Sequence, residues 1–323
     1  MTTPASLKTH RSFWIASTLE SNYPALTQNL NVDVAIIGAG LVGITAATLL
    51  KKAGKTVAVL EAGRVAEGVS GHTTAKVTSL HHLIYSRLID QIGQAKARLY
   101  GESNQAAIEQ MATLVRDEQI DCDFERKDAY TFATESQHLE NVKAETEAAQ
   151  LLGLPATYVG ETPLPFDVLG AVKFSNQAQF HPRKYILNLA GKIHGDGSFL
   201  FENTRVKTVD GENPCKVETV HGPTVTAQDV IVASHLPILD QGLFFAKTFP
   251  KRSYLIGARI DPAQAPDGML IGTGEKYRSI RTTPTDDGGR LLLIGGEGHK
   301  VGEADDTEER YQRLAEYARA YFG

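Results

Sequence analysis

Asp33-Val-Ala-Ile-Ile37 runs directly into Gly38-Ala-Gly40-Leu-Val-Gly43, and the reading of this stretch decides the fold. The five-residue apolar run has the composition of a strand buried on both faces. The residues from Leu41 to Lys52 then read as a helix, with Gly54 as its stop signal. A second apolar run, Thr56-Val-Ala-Val-Leu60, ends in Glu61. Strand, glycine turn, helix, strand and terminal acid together make a βαβ unit with a complete GxGxxG. Gly38 permits the tight turn, Gly40 lets the backbone approach a pyrophosphate, and Gly43 lets the helix lie close to the strand. The N–H groups at the helix start face an anion that the helix dipole favours. From the tip of the second strand, the Glu61 carboxylate can accept ribose hydroxyls and repel a 2′-phosphate.

Outside this unit the sequence mainly excludes. The chain has 323 residues, about twice the usual domain length, and can bury a core without disulfides or metals. Its formal charge is −5 and no basic stripe stands out, so nucleic acid is not an expected partner. Cys122 and Cys215 are the only cysteines, which excludes a thiolate metal cage and a CxxC redox pair. No metal site is expected. The start, MTTPASLKTHRSFWIAS, has no apolar core of the kind a secretory signal needs. Val34 to Leu50 is free of charge but short of a membrane span and interrupted by glycines. The expected location is cytoplasmic, with no membrane partner.

A nicotinamide dehydrogenase would continue with further βα units after Glu61. Residues 81–118 read as helix instead, with an apolar stripe of Leu83, Leu88, Ile92, Leu99, Ile108, Met111, Leu114 and Val115. Gly195-Asp-Gly197, Gly272-Thr-Gly274 and Gly296-Glu-Gly298 all lack a third glycine, so one dinucleotide site is expected.

The βαβ unit, the LEAGR ending at Arg64 and Gly68-Val-Ser-Gly-His-Thr-Thr-Ala-Lys76 together resemble the glycine/D-amino acid oxidase (DAO) family of FAD-dependent oxidoreductases. HTTAK, Gln177-Ala-Gln-Phe-His-Pro182 and Val230-Ile-Val-Ala-Ser-His235 are similar to a bacterial subgroup whose members often carry a C-terminal Rieske [2Fe–2S] domain. The resemblance implies FAD as cofactor, with its ADP half at Gly38, Gly40, Leu41, Val42, Gly43, Glu61 and Ala62. It implies Arg64 near the ribose or adenine, and Gly71, His72, Thr73, Thr74, Ala75 and Lys76 along the flavin ring. Val206 would meet the adenine through its backbone, and Ala233 and Ser234 would lie near the phosphates. The residues also allow plainer roles. Thr73 and Thr74 could cap a helix, His72 could be a bonded loop histidine, Lys76 a surface lysine, and His181 could shape entry to a helix over 183–194.

The remaining pattern gives strands at 128–133, 170–174, 203–209, 215–220, 229–233, 254–260, 269–273, 277–283 and 290–296, with helices at 137–152 and 305–321. The expected fold class is α/β: a Rossmann-like FAD-binding domain with an interleaved α+β substrate domain built on an antiparallel sheet. The expected boundaries are 1–120, 175–245 and 290–323 for the first, and 121–174 and 246–289 for the second. Arg252, Tyr254, Arg278 and Arg281 are the candidate substrate contacts, since an arginine can clamp a carboxylate bidentately. The leading expectation is oxidation of a small amine or amino acid-like substrate by hydride transfer to flavin. The alternatives are a flavin component working with a separate or missing Rieske module, and a shortened, non-catalytic FAD- or ADP-binding remnant. The family continues with a further glycine-rich segment and the subgroup with the Rieske cysteines and histidines, neither of which follows Tyr321.

Overall fold

The computed structural model describes residues 11–236, 238–239 and 242–323. In chain order the first elements are α1 (Phe13–Ala16), β1 (Leu30–Ile37), α2 (Leu41–Lys52) and β2 (Val57–Leu60). A 3-10 turn (Val69–His72), β3 (Lys76–Val77), α3 (Tyr85–Ile92), α4 (Gln94–Asp117), β4 (Glu125–Ala133), α5 (Ser136–Leu151), β5 (Ala156–Val159) and β6 (Gly170–Gln179) follow. Then come α6 (Pro182–Ala190), β7 (Phe199–Phe201), β8 (Val206–Asp210), β9 (Cys215–Thr219), β10 (Thr224–Val232) and α7 (Phe244–Lys247). The chain ends with β11 (Lys251–Ile260), β12 (Met269–Gly272), β13 (Ser279–Pro284), β14 (Arg290–Lys300) and α8 (Thr307–Phe322).

Two compact units result, one from the chain up to Thr73 with Pro182–Thr248, the other from Thr74–His181 with Phe249–Gly323. The first holds a six-stranded sheet in the order β7-β2-β1-β10-β9-β8. Its strands β7, β2, β1 and β10 are parallel, whereas β9 and β8 return antiparallel as a meander. Ala35, Ile36, Ala58 and Val59 are fully buried, as continuous apolar runs in a covered parallel sheet require. A Cβ on Gly43 would overlap the carbonyl oxygen of Gly38, so only glycine allows α2 its close seat on β1. Lys51 closes the far end of that helix by donating to the carbonyls of Lys192, Ile193 and Gly195.

The second unit holds an eight-stranded sheet, β11-β14-β13-β12-β4-β6-β3 with β5 also on β6. All its pairings are antiparallel except β12 with β4. Side chains alternate along β4. Ala129 and Ala133 pack with Tyr85, Ala97, Val142 and Ala149 of α3, α4 and α5, whereas Phe132 joins Leu314 and Ala318 of α8.

The structure moves several expected boundaries. Gly93, at φ +80°, breaks the helix expected over 81–118 into α3 and α4, and Ile92 and Leu99 of the expected stripe are exposed. The helix expected to reach 194 stops at Ala190, and the strand expected over 170–174 extends to Gln179. Residues 74–120 and 290–323, expected with the nucleotide-binding part, belong to the second unit. The cause is packing: Tyr85 and Ala97 are buried against α5 and β6, while β14 pairs with β11 and β13.

Candidate functional site

The glycine turn is a cradle built from backbone. Gly38 sits at φ +106°, and a Cβ there would come within 2.8 Å of the Ala233 carbonyl oxygen and 3.3 Å of the Ser234 nitrogen. Ala233 and Ser234, expected near the phosphates, are thus brought against Gly38; Ala233 N donates to Ile37 O at 2.9 Å. Gly40 is the N-cap of α2 and offers no side-chain cap, and the first turn carries no acidic residue. Leu41 N donates to Ser70 Oγ at 3.0 Å, and a Cβ on Gly40 would come within 2.8 Å of that oxygen. The amides of Val42 and Gly43 have no acceptor among the described residues, and Val42 is exposed. This bare, positive helix end suits a phosphate.

Glu61 spans the turn and its own loop. Its two carboxylate oxygens accept from Ala39 N and Gly63 N, each at 2.8 Å. Its backbone carbonyl accepts from Thr204 N, which brings the segment leading into Val206 beside it. Val206 itself packs into the core of the first unit. Arg64 donates to Glu20 and to the Ser21 carbonyl. Sequence reasoning missed the group that fixes this loop: the buried Glu202 carboxylate accepts from Val65 N, Tyr23 N and the Ser21 hydroxyl.

Gly71 ends the 3-10 turn against the Ala66 carbonyl, where a Cβ would collide. His72 Nδ1 lies 2.9 Å from Gly68 O, so the ring closes its own turn, and the Thr73 carbonyl accepts from Trp14 Nε1 at 2.8 Å.

In the second unit, Thr74, Ala75 and Lys76 meet two enclosed cations. Arg281, on β13, is 1% exposed and donates to the carbonyls of Thr74, Ala75, Phe180 and Thr282. Burial brings its guanidinium down to about 9 against the pull of Glu125. Lys76 is half-buried, and its ammonium donates to Leu270 O at 2.8 Å. Burial, then the charge of Arg281, bring it down to about 7. Glu125 is held by Arg290 at 2.9 and 3.1 Å and by Gln179 at 2.7 Å. The hydroxyls of Thr131 and Thr283 and the Gln179 carbonyl oxygen are buried without a partner.

The four expected substrate contacts do not converge. Arg252 is exposed on β11. The Tyr254 hydroxyl lies 3.0 Å from His299 Nε2 and 3.3 Å from Thr307 Oγ1, in the core under α8. Arg278 pairs with Glu297 at 2.5 Å; Arg313 takes the other carboxylate oxygen at 2.7 Å. This ion group lines an open cavity of about 640 Å³ with Lys276, Glu316 and Tyr317. Arg281 is spent on backbone carbonyls. Among the described residues no group of three His, Cys, Asp or Glu could hold a metal, and no helix is long and apolar enough to cross a membrane.

The family model for FAD dependent oxidoreductases, DAO, matches residues 33–323. The chain belongs to this family. FAD is the family's cofactor, and at the glycine turn a Cβ on Gly38 or Gly40 would come within 2.8 Å of the Ala233 carbonyl oxygen or of Ser70 Oγ. YhfW of Bacillus subtilis, named as a Rieske 2Fe-2S iron-sulfur protein, is 34% identical over 97% of this chain. Gamma-glutamylputrescine oxidoreductase of Escherichia coli is 28% identical over 82%. The chain spans only 61% and 59% of these two proteins' lengths. Glycine oxidase of Geobacillus kaustophilus shares the fold at TM-score 0.69 and 19% identity, covering 91% of this chain and 79% of that one. L-proline dehydrogenase of P. horikoshii follows at TM-score 0.68 and 19% identity, covering 92% and 78%.

Proposed function

We propose that the chain is the flavin-binding part of an oxidoreductase that oxidises a small amine or amino acid-like substrate. The observation that carries this reading is the bare N-terminus of α2, with Gly38 and Gly40 clearing the approach and Glu61 beside it. FAD, when bound, would supply the two-electron acceptor for the oxidation. Val42 and Gly43 would hold the pyrophosphate through their backbone N–H groups, with Leu41 beside it, and Glu61 would accept hydrogen bonds from the ribose hydroxyls. Ala62, Arg64 and Val206 shape the adenosine end; Ala233 and Ser234 close the phosphate side. The segment from Gly71 to Lys76 passes the flavin ring, with Lys76 as a nearby cation favouring negative charge there. The similarity to gamma-glutamylputrescine oxidoreductase supports an amine or amino acid-like substrate.

The similarity to YhfW favours a second arrangement, in which electrons leave the flavin for a Rieske iron–sulfur module. The test is the visible spectrum of the purified chain titrated with FAD, then with candidate amines under anaerobic conditions. Flavin bands that survive desalting and bleach with an amine are the expected result. Retained FAD with no bleaching by any amine would remove the substrate assignment, and bleached flavin whose colour returns on adding an oxidised Rieske protein, with that protein reduced, would favour the second arrangement. Gly40→Val abolishes FAD retention while the fold persists, since the side chain covers the phosphate approach and Ser70 Oγ can move aside. Unchanged FAD affinity in that variant would sink the phosphate assignment.

A further inference from the structure

Arg183 stands in the first turn of α6, where a cation opposes the helix dipole, and the cradle as described makes no use of it. Its side chain is wholly buried. Nη1 donates to the Thr18 hydroxyl and, at 3.1 Å, to the Leu19 carbonyl. Nε and Nη2 are buried and donate no hydrogen bond among the described residues. The Glu67 carboxylate, half-buried, stands 3.6 Å from Nη2 as the ion-pair partner. A buried guanidinium with unmet donors is costly, so filling space alone does not account for an arginine here.

What it grips accounts for it, and every member lies in the first unit. Glu67 opens the stretch that runs through the 3-10 turn to Thr73. At the other end Trp14 Nε1 donates to the Thr73 carbonyl at 2.8 Å. The Thr18 hydroxyl, which accepts from Arg183, donates in turn to the Trp14 carbonyl at 2.7 Å. One guanidinium therefore reaches both flanks of the stretch from Glu67 to Thr73. In its middle is Ser70, whose Oγ accepts from Leu41 N at 3.0 Å and would lie 2.8 Å from a Cβ on Gly40. Ser70 thus sets how wide the start of α2 stands open to an anion.

We propose that Arg183 is a positioning residue for the pyrophosphate end of the flavin nucleotide. Through Glu67 on one side, and through Thr18 and Trp14 on the other, it holds the turn that sets Ser70 against the start of α2. It acts through Ser70 and does not itself meet the nucleotide. The proposal rests on the flavin reading of the cradle for its ligand, but not for its geometry.

Two variants and two readouts test it. Arg183→Met keeps a long buried side chain and removes the charge and the donors; Glu67→Ala removes the ion-pair partner and leaves Arg183 in place. In the full chain without FAD, hydrogen exchange at the Leu41 amide is expected to quicken roughly tenfold in both variants. Parental exchange at Ile36 and Val59, in the core of the same sheet, shows that the fold is kept. In titrations followed by flavin fluorescence, FAD affinity is expected to fall roughly tenfold in each variant. Arg183→Met combined with Ser70→Ala is expected to bind no more weakly than Ser70→Ala alone. Parental exchange at Leu41 in both variants overturns the proposal, as does parental FAD affinity or a loss that simply adds to that of Ser70→Ala. A parent chain that binds no FAD removes the flavin reading and the proposal with it, while exchange at Leu41 still tells whether Arg183 places Ser70.

Discussion

The two sheets carry their polar chemistry in opposite ways. Around β1 and β2 the working groups are backbone amides and one carboxylate, all within the 26 residues from Gly38 to Gly63. In the eight-stranded sheet they are side chains that meet backbone from far along the chain. Lys76 reaches Leu270, 194 residues away, and Arg281 reaches Thr74, 207 residues away. A site made by a local turn is written in a short motif. A site made by strand pairing exists only once the sheet is assembled, and its members then depend on one another.

The largest expected effect tests the local side of this contrast. Gly43→Val places a branched side chain on the Gly38 carbonyl and lifts α2 from β1. The expected loss is about 3 kcal/mol of stability, as for severe overpacking. Chemical denaturation checks it; a variant as stable as the parent would mean that α2 does not need its close seat.

Arg281→Ala tests the distant side. Removing the guanidinium leaves the carbonyls of Thr74, Ala75 and Phe180 without their donor inside the second unit. The cost is about 2–3 kcal/mol from unmet buried acceptors. Hydrogen exchange is expected to rise at Lys76 and Gln179, where β3 pairs with β6. Uniform exchange across the sheet would argue that Arg281 holds no particular segment.

This contrast also explains what could be read in advance. The helix Leu41–Lys52 matches its expected bounds residue for residue, because glycines and lysines mark both ends. The strands from β8 to β14 were legible from alternation and turn residues. The unit boundaries were not, since whether 85–117 and 290–323 join one sheet or the other depends on partners such as Phe174 and Leu293 that periodicity cannot name. Two of the three arginines expected at a substrate are held by the protein itself. Arg281 faces inward, where it donates to four backbone carbonyls, and Arg278 turns to Glu297. Glu202 and Trp14 lie in no motif, and only tertiary contact shows that they, with Ser70, brace the loops around the glycine turn.

Glu61→Ala sharpens the comparison at the cradle. The Ala39 and Gly63 amides lose their acceptor, and the ribose loses its charge-assisted partner. FAD affinity falls by roughly 1–3 kcal/mol. Titration followed by flavin fluorescence measures this, and unaltered affinity moves the ribose contact to another residue.

The last effect is a change of slope with pH. The Lys76 ammonium stands at about 7 in the folded chain, against an ordinary value of 10.5. Between these two values the unfolded chain binds more protons, so this group makes stability rise with pH through that window. Its penalty is complete below about 7 and gone above 10.5. Lys76→Met removes the penalty and forfeits only the hydrogen bond to Leu270 O. The variant is therefore expected to melt higher than the parent below neutral pH, with the gap closing as pH rises. Arg281→Ala in the same background shrinks the gap, because one of the two causes that lower Lys76 is the neighbouring guanidinium. Parallel melting profiles for parent and Lys76→Met would place the amine in water and dissolve the interior cation pair, leaving the two sheets less different than their contacts suggest.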